Sequence, residues 1–594
     1  MSVHQNRQRP GSCHGCCGPQ TELASLVRYR AAASRPGRSG GQASQPGDGP
    51  EPAARSASPE RPDRADLLVL GTVVTMDPAR PQAEGLAVSN GRVLALGSRA
   101  ELDGLRGPGT EVLELGDRVA MPGLIEPHLH LWSTVLFDTW VDCSPFANPT
   151  FDDVVNALGR SAAAAPPGEW VTGKLFDPSL FPGEPELTAA IMDRIAPDNP
   201  VLVANASMHF LYANSRALAA AGITVQTADP PGGRYYRENG ELTGVVGETP
   251  AMMPLLTAVP QLSHDQLLDG LVRILTTAAS QGVTKVHEGA TGALLGPGEL
   301  DILHGLAAVG RLPTRITTAQ LGAARAAWEK AGLQPGSGDD MVRAVSWKLI
   351  SDGSNQGRTG YQREPYLGSA GRGAANVSEE ELAEDIRYAH DHGWQVMVHA
   401  NGDAAIDLTV AAYEKALAGA APKDLRHRIE HCSLADGDHF RRMAEIGVSP
   451  SFLMNHVYYW GQTLRDNILG PSRARHLDAV ASALRHGLRP SFHSDYSVSP
   501  ISPLTAVQTA VTRGMRGGGT LNPDECVSVA AGLRAITIDA AWQTHTDRQL
   551  GSLVPGKYAD LVILSADPRA TEPAAIGDIT VHQTRLAGGV AWQA

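Results

Sequence analysis

Cysteine and aromatic residues are scarce in this 594-residue chain, with six Cys in all and Phe, Trp and Tyr together making 5%. Six cysteines over such a length exclude a disulfide-built secreted scaffold. Basic residues are also in deficit: 50 Lys and Arg stand against 63 Asp and Glu, a net charge of −13. A general nucleic-acid binder shows a basic field, so that class is excluded. No run approaches the roughly 18 apolar residues of a membrane-spanning helix. What is plentiful is Gly (63) and Pro (41), beside 42% hydrophobic residues. The balance reads as an acidic, Gly- and Pro-rich globular protein of cytoplasmic origin.

Residues 1–62 differ from the rest. Stretches such as Arg35-Pro-Gly-Arg-Ser-Gly-Gly41 and Gln45-Pro-Gly-Asp-Gly-Pro-Glu-Pro52 cannot bury enough apolar surface to offset ordering entropy. They predict a disordered extension. Its Arg- and Ser-rich, acid-poor character also fits a transit peptide, whereas a secretory signal lacks its apolar core here. Cys13, Cys16 and Cys17 form a Cys-x-x-Cys pattern with no second ligand pair nearby, which leaves its role open.

Ordered structure is expected from about Ala65. Leu67–Leu70 and Thr72–Thr75 are β-rich, and Asn90-Gly91 between Leu86 and Leu96 supplies the positive φ angles of a hairpin turn. Short strands return near the C-terminus, around Leu561–Leu564 and Ile579–His582. Residues 63–120 and 546–594 are therefore expected to build one small composite β-sandwich domain. Between them, short apolar runs alternate with helical patterns, the signature of a parallel sheet. Strands are expected at 121–127, 283–287, 314–320, 345–350, 394–399, 427–431, 448–454 and 490–494. Helices are expected at Glu379–Asp391, Ala404–Leu417 and Pro471–His486, among others. Eight such units predict a (β/α)8 TIM barrel over 121–545. The long gap after its first strand predicts an inserted lid subdomain at 140–265.

The chemistry-bearing residues sit at the ends of those strands. His128 and His130 end the first, two residues apart and so on one face. Lys348 lies on the fourth strand, His399 ends the fifth, His431 the sixth and Asp495 the eighth. Residues at the C-terminal ends of barrel strands converge on one site. Four imidazoles and a carboxylate converging there suit Zn²⁺ or a similar divalent metal.

The ordered set resembles the amidohydrolase superfamily, and most closely the amidohydrolase 3 family, which includes proteins similar to N-substituted formamide deformylase. Its carriers are Met121-Pro-Gly-Leu-Ile-Glu-Pro-His-Leu-His130, Lys348-Leu-Ile-Ser-Asp-Gly353, Val398-His-Ala-Asn-Gly-Asp403, Arg428-Ile-Glu-His431, Ser494-Asp495 and Gly556-Lys-Tyr-Ala-Asp-Leu-Val562. Glu126 departs from the pattern, which commonly has Asp there. The resemblance implies two divalent metals, with zinc the leading candidate. His128 and His130 would hold one and His399 and His431 the other. A CO₂-derived carbamate on Lys348 would bridge them, and Asp495 would be both ligand and general base. It implies hydrolysis of a non-peptide C–N bond, in an amide or N-substituted formamide, by metal-activated hydroxide. It also makes a homodimer the oligomeric candidate.

Alternatives stand beside these assignments. Lys348 could be an ordinary ion-paired lysine in a mononuclear site. A mononuclear aminohydrolase is a second reading, weakened because Gly402 stands where such sites carry Glu. A non-catalytic, binding version of the barrel is a third, and it would ordinarily have lost ligands that this chain keeps. His456, Tyr459 and Trp132 are the candidate substrate contacts, with Tyr458, Trp460 and Phe137 as neighbours; loop or core packing is their bland alternative. His493 is weighed between site support and core packing, Asp403 between support and helix capping, and His209 between a lid role and none; His287, ending the second strand, is expected at the barrel mouth without a defined role.

Overall fold

The computed structural model describes residues 64–594 apart from 182, 207, 209 and 232. The expectations for residues 1–62, for Cys13, Cys16 and Cys17, and for His209 lie outside the described residues. Among the described residues, no helix is long and apolar enough to cross a membrane.

Eight parallel strands form the central sheet: β1 Leu124–Leu129, β2 Val283–Thr291, β3 Arg315–Leu321, β4 Val342–Ile350, β5 Gln395–Ala400, β6 Arg428–His431, β7 Ser449–Phe452 and β8 Ser491–Phe492. They neighbour one another in chain order. The ring closes just beyond β8, where Asp495 N donates to His128 O (3.2 Å) and His130 N to Tyr496 O (2.8 Å). This is the (β/α)8 barrel, with all eight strands near their expected places. Its first strand begins three residues late. Met121 and Pro122 instead end Glu111–Pro122, a strand of a second sheet. Gly123 makes the crossing: a Cβ there would lie 2.1 Å from Thr284 Oγ1, so only glycine fits.

That second sheet has seven strands, drawn from Leu67–Pro122 and Leu561–Gln593. Its hairpin turn at Asn90 (φ +50°) and Gly91 (φ +73°) has the positive angles the sequence requires. A third sheet of six strands spans Val141–Gly247, between β1 and β2. It touches the segment after β7: Trp460 Nε1 donates to Asp177 Oδ2 (2.9 Å), and Thr463 Oγ1 to Ser179 O (3.0 Å).

Glu379–Asp391 forms a helix with the expected ends, because Ser378 and Glu381 make a reciprocal capping box. Pro471–His486 does not form one helix. It divides into Pro471–Ala474 and Val480–Arg485. The break surrounds Asp478, whose backbone is left-handed (φ +45°) and whose N–H donates to Ser433 O at 2.8 Å instead of to a preceding turn.

The barrel interior is unusually polar. Glu126, Lys285, His287, Thr317, Lys348 and Arg428 are all buried. Barrels of this architecture are ordinarily filled by branched apolar side chains. Lys285 Nζ has no hydrogen-bond partner among the described residues, and burial pushes its pKa well down. An interior of this kind is costly unless its charges are held in register, and the register serves the mouth above.

Candidate metal centre

Alternation along β1 sends Glu126, His128 and, one residue past its end, His130 to the interior. Glu126 braces this strand against β8. Its carboxyl accepts from Ser494 N (3.1 and 3.2 Å) and His128 N (3.3 Å). Burial pushes it up to about 8, against the pull of those donors. The substituted acid therefore closes the barrel beneath the site.

The six residues assigned from sequence come together. Asp495 Oδ1 lies 3.1 Å from His130 Nε2 and 3.4 Å from His128 Nε2, and the two imidazole nitrogens are 3.4 Å apart. Lys348 Nζ is 3.5 Å from His128 Nε2. The His399 and His431 rings meet edge to face at 4.5 Å, and the His431 ring lies 5.2 Å from that of His128. All six side chains are buried. Two of them are aimed by backbone turns rather than by strand alternation, His431 at φ +64° and Asp495 at φ +51°.

Hydrogen bonds decide which nitrogen each ring offers. His128 Nδ1 meets Glu430 Oε2 at 2.6 Å; a carboxylate accepts, so the proton is on Nδ1 and the Nε2 lone pair faces the site. Glu430 Oε2 also accepts from Arg428 at 2.7 Å, and Arg428 donates to Pro127 O at 3.1 Å. Burial raises the Glu430 carboxyl, while the charges of Arg428 and Lys348 oppose it. His399 Nε2 lies 3.1 Å from the Gly353 carbonyl, 3.1 Å from Asn401 Nδ2 and 3.4 Å from Asp352 Oδ1. His431 Nδ1 meets His493 Nε2 at 3.1 Å, and His431 Nε2 has no hydrogen-bond partner among the described residues.

The protonation states suit a cation. Burial, with the charge of Lys348, holds His128 well below its usual pKa, and burial does the same for His431. Burial also works against a charge on Asp495. The hydrogen bond and charge of His130, with His493 and Lys348, override it and hold this carboxyl at about 2. The neutral imidazoles of His128 and His431, each with a bare Nε2, beside an ionised carboxylate supply the kind of donors that a divalent metal requires. The ligand atoms of His128, His130 and Asp495 lie within 4.8 Å of one another, close enough to share one ion. The residues present fit the group.

The candidate substrate contacts fall in different places. His456 is buried in a π-helical turn, His456–Trp460, after β7, with its Nδ1 3.4 Å from Ser433 Oγ and 4.0 Å from Asp478 Oδ2. Burial lowers it to about 4. Such turns recur at functional sites. Tyr459 packs its ring 4.3 Å from Phe146 and lines a cavity of about 500 Å³ with Tyr458, Pro145 and Arg516. Trp132 is fully buried in the helix Leu131–Leu136, and its indole N–H has no hydrogen-bond partner among the described residues. His287 lies lower in the barrel, against Thr317 Oγ1 (2.8 Å) and Met397 Sδ (3.3 Å). Asp403 accepts from Arg363 N at 2.7 Å, at the start of the helix Asp403–Leu417.

Sequence reasoning assigned no role to Glu430 and Arg428, although both stand in the Arg428-Ile-Glu-His431 motif. Their signal was available: positions 428 and 430 share a strand face, and an acid and a base two apart inside a barrel must pair with something. The hydroxyl of Ser451, 2.9 Å from His493 Nδ1, had no such signal because its partner lies on another strand.

Residues 111–591 match the model of the amidohydrolase family. The chain belongs to the amidohydrolase family. This amidohydrolase is 28% identical to the putative amidohydrolase YtcJ of Bacillus subtilis, over 79% of this chain and 88% of that one. It is 28% identical to N-substituted formamide deformylase of Arthrobacter pascens, over 78% and 86%. It is 32% identical to the protein LONG AFTER FAR-RED 3 of Arabidopsis thaliana, over 75% and 77%. An uncharacterized metal-dependent hydrolase from Pyrococcus horikoshii shares the fold, with a TM-score of 0.68 at 22% identity, over 85% of this chain and 99% of that one. This amidohydrolase is thus a hydrolase acting on carbon–nitrogen bonds.

Proposed function

We propose that this amidohydrolase hydrolyses a small N-substituted formamide or related non-peptide amide at a two-metal centre, with zinc as the metal. The observation that carries this is the convergence of His128, His130 and Asp495 within 3.4 Å of one another, beside Lys348, His399 and His431. Likeness to an N-substituted formamide deformylase supports the substrate class.

His128 and His130 would hold one ion, His399 and His431 the other, and Asp495 would contribute an oxygen to the first. Lys348, after its ammonium loses one proton and Nζ adds CO₂ with loss of a second, would become an anionic carbamate that could help hold the metal. Bound divalent metals would supply acidified water, with a pKa near 7 instead of 15.7, and a polarised carbonyl. Asp495 is ionised, and so accepts the proton of the attacking water. It returns that proton to the departing nitrogen, which is too basic to leave as an anion. His456 and Trp132 would face the acyl side, and Tyr459 the entrance. The insert would close over the mouth through the Trp460–Asp177 hydrogen bond and exclude bulk water.

Elemental mass spectrometry on protein purified without chelator tests this reading. About two metal equivalents per chain are expected, with turnover of N-substituted formamides. About one equivalent would favour a mononuclear centre. None after reconstitution with Zn²⁺ and bicarbonate would overturn the metal reading.

A further inference from the structure

Beneath His431 runs a chain of uncharged groups whose hydrogen-bond directions are all determined. It starts at Gln543, at the end of the helix Ile538–Gln543. Gln543 Nε2 donates to two carbonyls, Pro450 O (2.8 Å) and Arg489 O (2.7 Å), so its amide cannot be turned round. Its Oε1 therefore faces Ser491 Oγ, 2.6 Å away, and can only accept. That contact consumes the single hydroxyl hydrogen of Ser491. The next contact, Ser491 Oγ to Ser451 Oγ at 2.9 Å, must use the hydrogen of Ser451. Ser451 then has only lone pairs left for His493 Nδ1, 2.9 Å away, so His493 carries its proton on Nδ1. His493 Nε2 is left as an acceptor. It receives the Nδ1 proton of His431 at 3.1 Å. Each contact has one hydrogen available, and only one assignment satisfies all four.

We infer that Gln543, Ser491, Ser451 and His493 form a positioning relay that fixes His431 as its Nδ1–H tautomer and so presents a bare Nε2 to the second metal. The inference rests on the reading of His431 as a metal ligand. It also assigns His493. Its Nε2 lies close enough to His128 and His431 for the three to resemble a ligand triad, but its lone pair is committed to His431. His493 is a spacer. A histidine ligand whose other nitrogen loses its partner typically costs 10- to 100-fold in metal affinity.

The relay can be tested with and without metal. Neutron diffraction from deuterated, metal-free crystals should show deuterium on Nδ1 of both His493 and His431. Deuterium on His431 Nε2 would overturn the relay whether or not the protein binds metal. Zn²⁺ titration against a competing chelator should show Ser451→Ala weakening only the second equivalent, about 10- to 100-fold. The first equivalent should stay within about threefold. Ser451→Thr, which keeps the hydroxyl, should restore the parent value within about threefold. Parent-like binding of both equivalents by a folded Ser451→Ala protein would overturn the relay. If Ser451→Ala fails to fold, the parent neutron map and the Ser451→Thr titration decide. A parent chain that takes up no Zn²⁺ would sink the metal reading alone, and the deuterium positions would still settle the tautomer.

Discussion

His128 and His431 are both neutral, both buried and both aimed at one centre, yet opposite physics holds them. His128 leans on a charged bracket, Glu430 with Arg428, within 2.7 Å. His431 leans on uncharged hydroxyl and imidazole groups that end at a glutamine amide. A carboxylate needs no orientation of its own, because either oxygen accepts. It does need burial of an ion pair, which is expensive and fails badly when one partner is lost. A hydroxyl relay avoids that expense but works only while every hydrogen points one way. The two sides of the centre should therefore break differently.

Asp495→Asn gives the largest expected effect. It leaves the His130 and His128 contacts sterically intact but removes the proton acceptor. kcat/KM should fall about 10²- to 10⁴-fold, about 3–5 kcal/mol of transition-state stabilisation. Steady-state kinetics checks this, with circular dichroism to show that the fold survives. Turnover within tenfold of the parent would remove Asp495 from the mechanism. The charged side would then be structural only, and the comparison would lose its chemical half.

Glu430→Gln comes next. It is nearly isosteric, but it strips the counter-charge from the fully buried Arg428 and substitutes an amide for the acceptor of His128 Nδ1–H. Removing one partner of a buried pair costs about 3–5 kcal/mol. Denaturant midpoints of the metal-free protein should drop accordingly, and the first Zn²⁺ equivalent should weaken along with them. Ser451→Ala should leave the midpoint nearly unchanged. Equal losses from the two substitutions would erase the distinction between the two brackets.

Most of this arrangement is visible in the sequence, for reasons that individual residues make clear. Glu126, His128 and His130 are legible because strand alternation acts over two residues and needs no partner. Glu379–Asp391 is legible because Ser378 and Glu381 cap it locally. His431 and Asp495 could be placed at strand ends but not aimed, since both point inward through positive φ angles that alternation does not encode. The helix expected over 471–486 is broken by a tertiary hydrogen bond, from Asp478 N to Ser433 O, that outweighs a sound helical pattern. The relay under His431 was illegible for a related reason. Ser451, Ser491 and His431 belong to three strands, and only folding brings their hydrogens into one sequence.

The smallest effect concerns acid. His427, just before β6, is a second case of a buried imidazole serving as a neutral acceptor: its Nδ1 accepts from Val396 N at 2.9 Å, and His390 lies 3.0 Å from its Nε2. Burial, with the neighbouring His390 and His545, lowers it from 6.5 to about 3. The native state thus keeps His427 neutral where the unfolded chain takes up a proton. Below about pH 6.5 the unfolded state binds more protons, so stability falls as pH drops towards 3 and is flat above 6.5. At pH 5 the loss from this group is about 2 kcal/mol. Denaturation of metal-free protein at pH 7 and pH 5 should show that drop within a larger one to which His128, His431 and His456, also held neutral by burial, contribute; His427→Gln should reduce the total by about 2 kcal/mol. The Glu430 variant, with His427 intact, should keep the His427 share of the pH dependence on top of its constant loss. If instead Glu430→Gln removes the acid sensitivity and His427→Gln leaves it, the charged bracket is the acid-labile element. The uncharged networks would then have no distinctive weakness.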